Sequence, residues 1–245
     1  MNKQPHRTPP NPFSDGQFVV VDKPLGWTSF DVVNRFRWLL SKALGVKRIK
    51  VGHAGTLDPL ATGVVVLCTG KYTKRIEEVQ LMPKTYVATL RLGATTPSYD
   101  LETEVDGVYP YEHITSEMIH DALAAFEGPI LQSPPLFSAV NVEGTRAYEL
   151  ARKGSDLELP PREVWIYELK LRKASLPEIE LEVTCGKGTY IRSLARDLGQ
   201  ALGSGAHLTA LRRTRVGDFG TENGLKPEEF QDYIEEILSQ TTQED

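Results

Sequence analysis

Asp58 is the one acid in Gly52-His53-Ala54-Gly55-Thr56-Leu57-Asp58-Pro59-Leu60-Ala61-Thr62-Gly63, a stretch that holds three glycines and a proline. Glycine and proline at this density force tight backbone geometry. The apolar run Val64-Val65-Val66-Leu67 that follows predicts a buried strand directly behind the turn. A lone carboxylate on rigid backbone beside a core is suited to act as a nucleophile or a general base. The same residues also describe an Asp-Pro turn with no role beyond its own geometry, because Asp is a favoured turn residue.

The elements that must position this turn can be read from pattern. Phe18 to Val21 predicts a first strand, closed by the breakers Pro24 and Gly26. Thr28 or Ser29 can cap a helix whose apolar residues recur at Val32, Val33, Phe36, Leu39, Leu40 and Ala43. Lys42, Lys47, Arg48 and Lys50 cluster around the end of that helix, where the macrodipole favours cations, so they have a structural reading beside a phosphate-binding one. A short basic helix start follows at Lys71-Tyr72-Thr73-Lys74-Arg75. Alternation predicts a strand over Thr85 to Leu92. Thr115 and Ser116 open a helix through Met118, Ile119, Leu123 and Phe126, closed by Gly128-Pro129. Ser133-Pro134-Pro135 is expected to introduce another strand, Glu143-Gly144 a hairpin turn, and Arg146 to Lys153 a short helix. Two strands, Glu163 to Arg172 and Ile179 to Cys185, precede a helix from about Thr189 to Leu202, and a final helix starts near Pro227. Strands and helices mix without regular alternation, which predicts an α+β fold on a largely antiparallel mixed sheet flanked by helices.

Composition narrows the function classes. The chain has 245 residues, 40% of them hydrophobic, enough for one large domain with a sizeable core. Its longest apolar run is far short of a membrane span, and the polar, proline-rich N-terminus has no signal-peptide core; the cytosol is the expected compartment. Cys68 and Cys185 lie far apart without metal-ligand spacing, and His53 has no evident second ligand, so neither a zinc site nor a disulfide framework is expected, and no cofactor. The net charge of −5 is unevenly spread. Ser98 to Pro129 holds eight acids and no Lys or Arg, and Asp218 to Asp245 holds nine acids and one base. The remainder carries 27 basic and 16 acidic residues, +11, which leaves room for a basic surface toward RNA on an acidic protein.

Several blocks taken together resemble the TruB family, the bacterial tRNA pseudouridine-55 synthases. They are Val21-Asp22-Lys23-Pro24-Leu25-Gly26-Trp27-Thr28-Ser29, the Asp58 stretch, Lys84-Thr85-Tyr86, Leu92-Gly93-Ala94-Thr95-Thr96, Pro134-Pro135-Leu136-Phe137-Ser138-Ala139, Gly188-Thr189-Tyr190-Ile191-Arg192-Ser193-Leu194 and Leu211-Arg212-Arg213-Thr214. Their order along the chain is the family's. The resemblance implies the pseudouridine synthase fold with a thumb-like insertion, and an isomerase that converts uridine-55 in the T-loop of tRNA to pseudouridine after flipping the base out. Asp58 would be the catalytic carboxylate, acting on the ring, on the sugar carbon or on a sugar proton. Arg192 would be its cationic partner, and Tyr86 would lie on the target uracil. His53 would fill space in the T-loop, Asp100 would hold an extruded base, and Tyr190 and Leu211 would line the pocket. Lys71, Lys74, Arg75 and Arg213, with Arg152, Lys153, Arg212 and Arg215, would be the phosphate neighbours.

The resemblance also implies a tRNA T-arm partner, with no guide RNA, no required protein partner and no membrane. Three departures stand out. Asn141 occupies a usual lysine position and Gly186 a usual serine position before Lys187. After Phe219 too few residues remain for the additional C-terminal RNA-binding domain of many relatives. The expected organisation is a disordered tail over 1–16, a catalytic domain over 17–220 with the thumb at about 134–154, and a short acidic C-terminal helix and tail over 221–245.

Overall fold

The computed structural model describes residues 11–155 and 157–242. The chain forms two compact units, one from the stretches up to Leu81 and from Arg215 onward, the other from Met82–Thr214. Residues 1–10 of the expected tail and 243–245 at the C-terminus lie outside the described residues.

In the first unit the strand Phe18–Lys23 runs antiparallel to Ala61–Thr69, with Val20 opposite Val66 and Lys23 opposite Gly63. Val64 to Cys68 are wholly buried, which is why this strand reads as an unbroken apolar run rather than an alternating one. Val51–His53 also pairs with it, His53 opposite Leu67; the short strand is hidden in sequence by the glycines around it. The helix Ser29–Ala43 starts at Thr28, whose side chain and that of Asp31 form a reciprocal capping box. It buries Val32, Val33, Phe36, Leu39 and Leu40, as the spacing predicts.

The C-terminal segment belongs to this same unit. Leu225 bonds both ways with the backbone of the first strand, accepting from Asp22 and donating to Val20. Phe230, at the start of the helix Phe230–Thr242, meets Phe36 edge-on at 5.2 Å. Part of the expected tail is ordered: Asn11 caps the helix Pro12–Asp15, and Phe13 is fully buried against Phe36 and Tyr233. One buried aromatic is enough to tie down a stretch whose polar, proline-rich composition reads as mobile.

The second unit is built on strands in the order Ala206–Val216, Lys84–Leu92, Glu178–Cys185, Arg162–Ser175 and Gly128–Gln132. The last four pair antiparallel in succession. The helices Ser116–Ala125 and Ile191–Ala201 pack here through Ile119, Leu123, Ile191, Leu194 and Leu198. Gly199 lets the second helix close on the strand beside it, since a Cβ there would stand 2.4 Å from the Ala206 amide. The α+β, largely antiparallel reading is thus the observed fold.

Two boundaries differ from expectation. The strand near Pro134 precedes the proline pair, at Gly128–Gln132, because Gly128 (φ 91°) turns the chain straight out of the helix into the sheet. The strand Ala206–Val216 was masked in sequence by the arginines at its polar end.

Candidate functional site

The Asp58 loop is pinned on both sides of the acid by groups from the N-terminal motif. The buried Ser29 hydroxyl accepts from the Leu57 amide at 2.8 Å and donates to the Leu57 carbonyl at 3.2 Å. On the other side, the Gly26 amide donates to the Pro59 carbonyl at 2.9 Å. Lys23, fully buried, sends its ammonium to the carbonyls of Trp27 at 2.6 Å, Pro24 at 3.1 Å and Pro59 at 3.4 Å. The Asp58 carbonyl accepts from Ala61 at 3.0 Å, which leads the loop into the strand behind it. Gly55 (φ 94°) and Gly63 (φ 103°) take backbone conformations that a side chain would strain. Leu57 is buried while Asp58 is half-buried, so the loop anchors one side chain in the core and leaves the next partly accessible.

The lysine was legible as part of a motif, but its role was not. Along Phe18–Lys23 the buried residues are Val19, Val21 and Lys23, so the strand's alternation carries the lysine onto the core side, where an ammonium must find oxygen partners. The backbone carbonyls of two turns supply them.

The second unit holds another cluster. Arg192, on the helix Ile191–Ala201, is buried, with Nε 3.7 Å from Asp100 Oδ2 and Nη1 donating to the Ser98 carbonyl at 3.3 Å. Asp100 also accepts from the Glu102 amide at 2.9 Å, while its carbonyl takes the Thr96 hydroxyl at 2.7 Å. This aspartate is therefore a buried, ion-paired residue and not one of the solvated acids of its segment. Tyr99, immediately before it, holds φ at 61°, rare for a tyrosine. Arg196 covers its ring at 4.9 Å and donates to its hydroxyl at 3.2 Å. A cleft of about 500 Å³ opens there, lined by Tyr99, Pro134, Phe137, Leu157 and Arg196 among others.

Tyr86 stands on the buried face of the strand Lys84–Leu92, opposite Val183. Lys84, two residues earlier on the same face, donates to the Met82 carbonyl. Burial, then the neighbouring positive charge of Arg213, pushes its ammonium down to about 8 from the ordinary 10.5. Tyr190 precedes the Arg192 helix and its amide donates to the Gln132 side chain at 2.7 Å; it and Leu211 are half-buried.

The expected phosphate neighbours divide. Lys71 and Arg75 lie at the surface in ion pairs with Asp15 and Glu78, both at 2.7 Å. Lys74 is exposed. Arg213 is buried, 2% exposed, because the strand that carries it turns that side chain inward beside Lys84; it is not an outer-surface cation. Arg152 pairs with Glu102 at 3.2 Å. His53 lies on the short strand leading to the Asp58 loop.

Two family models cover most of the chain. Residues 41–191 match the TruB family pseudouridylate synthase N-terminal domain, and residues 192–243 match the tRNA pseudouridylate synthase B C-terminal domain. The chain belongs to the TruB family. Among its TruB relatives, tRNA pseudouridine synthase B of Phocaeicola vulgatus is 59% identical over 233 residues, covering 93% of this chain and 99% of that protein. The protein of the same name from Flavobacterium johnsoniae is 49% identical over 227 residues, covering 92% and 99%. A solved Cbf5-Nop10-Gar1 complex contains a chain that superposes with a TM-score of 0.69 at 29% identity over 95% of the present chain. The present chain spans 60% of the length of that one. Among the described residues no helix is long and apolar enough to cross a membrane.

Proposed function

We propose that this TruB-family chain isomerises uridine-55 in the T-loop of tRNA to pseudouridine, with Asp58 as the catalytic carboxylate. The observation that carries the assignment is the bracing of the Asp58 loop. Two buried side chains (Lys23 and Ser29) and the Gly26 amide hold residues 57 and 59, while Asp58 between them is half-buried. A turn without a task has no use for a buried ammonium clamping its backbone, whereas a reacting group gains from being held in one geometry.

The chemistry is balanced within the substrate. The N1–C1′ bond of uridine breaks, the uracil turns, a C5–C1′ bond forms, and the proton lost from C5 is matched by one gained at N1. Asp58 must be ionised for attack on ring or sugar and for removal of a sugar proton alike. Tyr86 supplies an aromatic face for the uracil, which tolerates rotation because stacking demands no single hydrogen-bond register. The Arg192–Asp100 pair, with the Arg192 bond to the Ser98 carbonyl, fixes the segment from Ser98 to Asp100. A uridine in a folded T-loop is reached by flipping it out, at a cost of a few kcal/mol. Loop-shape recognition, stacking and phosphate contacts offset that cost.

The chain acts in the cytoplasm on tRNA, without a guide RNA or an obligatory protein partner. Its identity to proteins named tRNA pseudouridine synthase B is about twice its identity to the Cbf5 chain, which supports this reading.

The test is isomerisation of an unmodified T-arm hairpin by the purified chain and by Asp58→Asn, with pseudouridine mapped by position. The amide keeps size and polarity but can act neither as nucleophile nor as base. Turnover is expected to fall by at least about a thousandfold, or roughly 4 kcal/mol in transition-state stabilisation. Binding of the hairpin should stay within about tenfold. Pseudouridine formed by Asp58→Asn at the parent rate would remove Asp58 from the chemistry.

A further inference from the structure

From Val32 to Leu57 the chain carries six Lys and Arg residues and no acid. The structure gathers four of them around one groove. Arg37, Lys47, Arg48 and Lys50 line a depression of about 680 Å³ between the C-terminal half of the helix Ser29–Ala43 and the segment that follows it. Its floor is apolar and backbone, with Ile49, Val51, Gly52 and Ile76. A Cβ at Gly52 would stand 2.8 Å from the end of the Ile76 side chain, which would have to shift to admit it. Arg37 is held in place by donating to the Val51 carbonyl at 2.9 Å and to Asn34 at 3.3 Å. Lys47, Arg48 and Lys50 are exposed, and among the described residues none of the three is paired with a carboxylate.

A helix C-terminus accounts for about half a negative charge, within one turn of the end. That explains one cation, not a groove of four in a stretch without acids. Beside the groove, on the next face of the same helix, Trp38 is 55% exposed. The Arg35 guanidinium and the Lys42 ammonium lie over its ring at 5.5 and 5.4 Å. An exposed indole flanked by cations, next to a groove with three cations that no carboxylate pairs, offers a stacking platform and a phosphate track side by side, the combination that holds an unpaired nucleic-acid strand. The groove's own wall runs into the Asp58 loop, because Val51 and Gly52 begin the strand Val51–His53 that leads to it.

We propose that this groove binds two or three phosphates of the RNA strand flanking the target nucleotide, with Trp38 stacking on an unpaired base of the same strand. The inference rests on the reading that the substrate is RNA and extends the contact surface well beyond Lys71, Lys74 and Arg75. Phosphate spacing along an unpaired strand suits a row of separate side chains better than a single anion does, and the absence of acids across the whole stretch keeps the track attractive along its length.

The experiment uses the full chain and a fluorescein-labelled unmodified T-arm hairpin, with affinity measured across a salt series. Lys47→Ala/Arg48→Ala should weaken binding about tenfold near 0.1 M salt and flatten the slope of log K against log salt by about 1.4, the loss of two phosphate contacts on an unpaired strand. Trp38→Ala should weaken binding about tenfold with the slope kept, and Trp38→Phe should restore most of it. Because these side chains are exposed, melting temperatures should stay close to the parent's, which separates lost contacts from lost fold.

An unchanged affinity and slope in the double variant overturns the groove. Sedimentation of the parent with phosphatidylglycerol vesicles, lost in the double variant while hairpin affinity is kept, overturns the RNA assignment in favour of an anionic surface. The two readings fail separately. A parent that binds the hairpin with the predicted salt response but forms no pseudouridine removes the proposed activity and leaves the groove. A parent that forms it while the double variant keeps its KM and slope does the reverse.

Discussion

Among the described residues two lysines are buried, one in each compact unit, and their settings differ. Lys23 is surrounded by oxygen, with its ammonium given to the carbonyls of Pro24, Trp27 and Pro59. Lys84 has the Met82 carbonyl but also Arg213 and Lys187 as like-charged neighbours, and its ammonium is pushed down to about 8. The first lysine uses its charge to tie together the turn at 24–27 and the turn carrying Asp58. The second keeps its charge at a cost, on the strand that presents Tyr86. At Lys84 burial is the larger cause of the fall and the Arg213 and Lys187 side chains add to it, whereas Lys23 is met by three backbone carbonyls.

The sharpest way to break that contrast is Lys23→Met. Three carbonyls then lose a buried donor, and the expected loss of stability is about 4 kcal/mol, at the upper end for a removed buried charge partner. Turnover should fall about a hundredfold as the Asp58 loop loses its register. Denaturant unfolding and hairpin kinetics measure both, and a variant as stable and active as the parent would show the clamp to be incidental.

Lys84→Met should behave differently, and its signature is a pH dependence. The folded state holds the lysine near 8 against an ordinary 10.5, so between those values the unfolded chain binds more protons. Stability due to Lys84 therefore rises with pH from about 8 and levels off near 10.5, where the unfolded chain also loses its proton. The fall from 10.5 to about 8 corresponds to about 3 kcal/mol. The parent should gain that much relative to Lys84→Met between pH 7 and pH 10.5. Cys185, whose thiol burial pushes up to about 11, acts in the opposite direction but is common to both proteins. A stability difference that stays constant with pH would mean that the lysine is not held at a cost.

How much of this was readable beforehand follows the same division. The helix Ser29–Ala43, the apolar strand behind Asp58 and the alternation that buries Tyr86 were all legible, because each is a periodic pattern that local burial enforces. Asp58 was singled out by one motif block, and Lys23 and Ser29 stood in another, the stretch from Val21 to Ser29. Their roles were hidden because they act through backbone carbonyls and amides, which leave no trace in residue type. Arg213 was expected among the phosphate neighbours and is 2% exposed; nothing in Leu211-Arg212-Arg213-Thr214 tells which arginine a strand turns inward until the strand is known. Phe13 shows the converse: a single apolar residue near the end of a polar, proline-rich stretch buries itself and anchors the short helix Pro12–Asp15. Asp100 stood in an acidic run, and only the fold brings Arg192 within 3.7 Å of it.

Ser29→Ala tests the other half of the Asp58 clamp with a smaller cut. It removes one hydroxyl and leaves the buried Leu57 amide without its acceptor, an expected cost of about 2 kcal/mol. Turnover should drop about tenfold with little change in KM, since the hydroxyl holds backbone and is buried away from solvent. A change confined to KM would place Ser29 at the RNA and not behind the loop.

The smallest effect belongs to a turn fastened only by itself. Asn141–Val142 and Thr145–Arg146 form an isolated two-stranded hairpin whose turn residues, Glu143 and Gly144, have φ of 49° and 89°. Both positive values mark a type I′ turn, the connection whose twist suits a tight hairpin. Asn141 Oδ1 accepts from the Gly144 amide at 2.8 Å and closes it. The residue that departs from the family's usual lysine is thus part of the turn's own hydrogen bonding, so Asn141→Lys exchanges a turn bond for a cation. Asn141→Ala isolates the first half of that exchange. It should loosen the hairpin locally by about 1 kcal/mol, seen as faster amide exchange at Gly144 and Thr145. The global unfolding midpoint should hardly move, because no buried group outside the hairpin depends on the bond. Asn141→Lys should show the same faster exchange, together with a steeper salt dependence of RNA binding if the added ammonium reaches a phosphate. A midpoint lowered as far as in Ser29→Ala would show that the hairpin is coupled to the core of its unit, and the distinction between a clamped turn and a self-fastened one would fall.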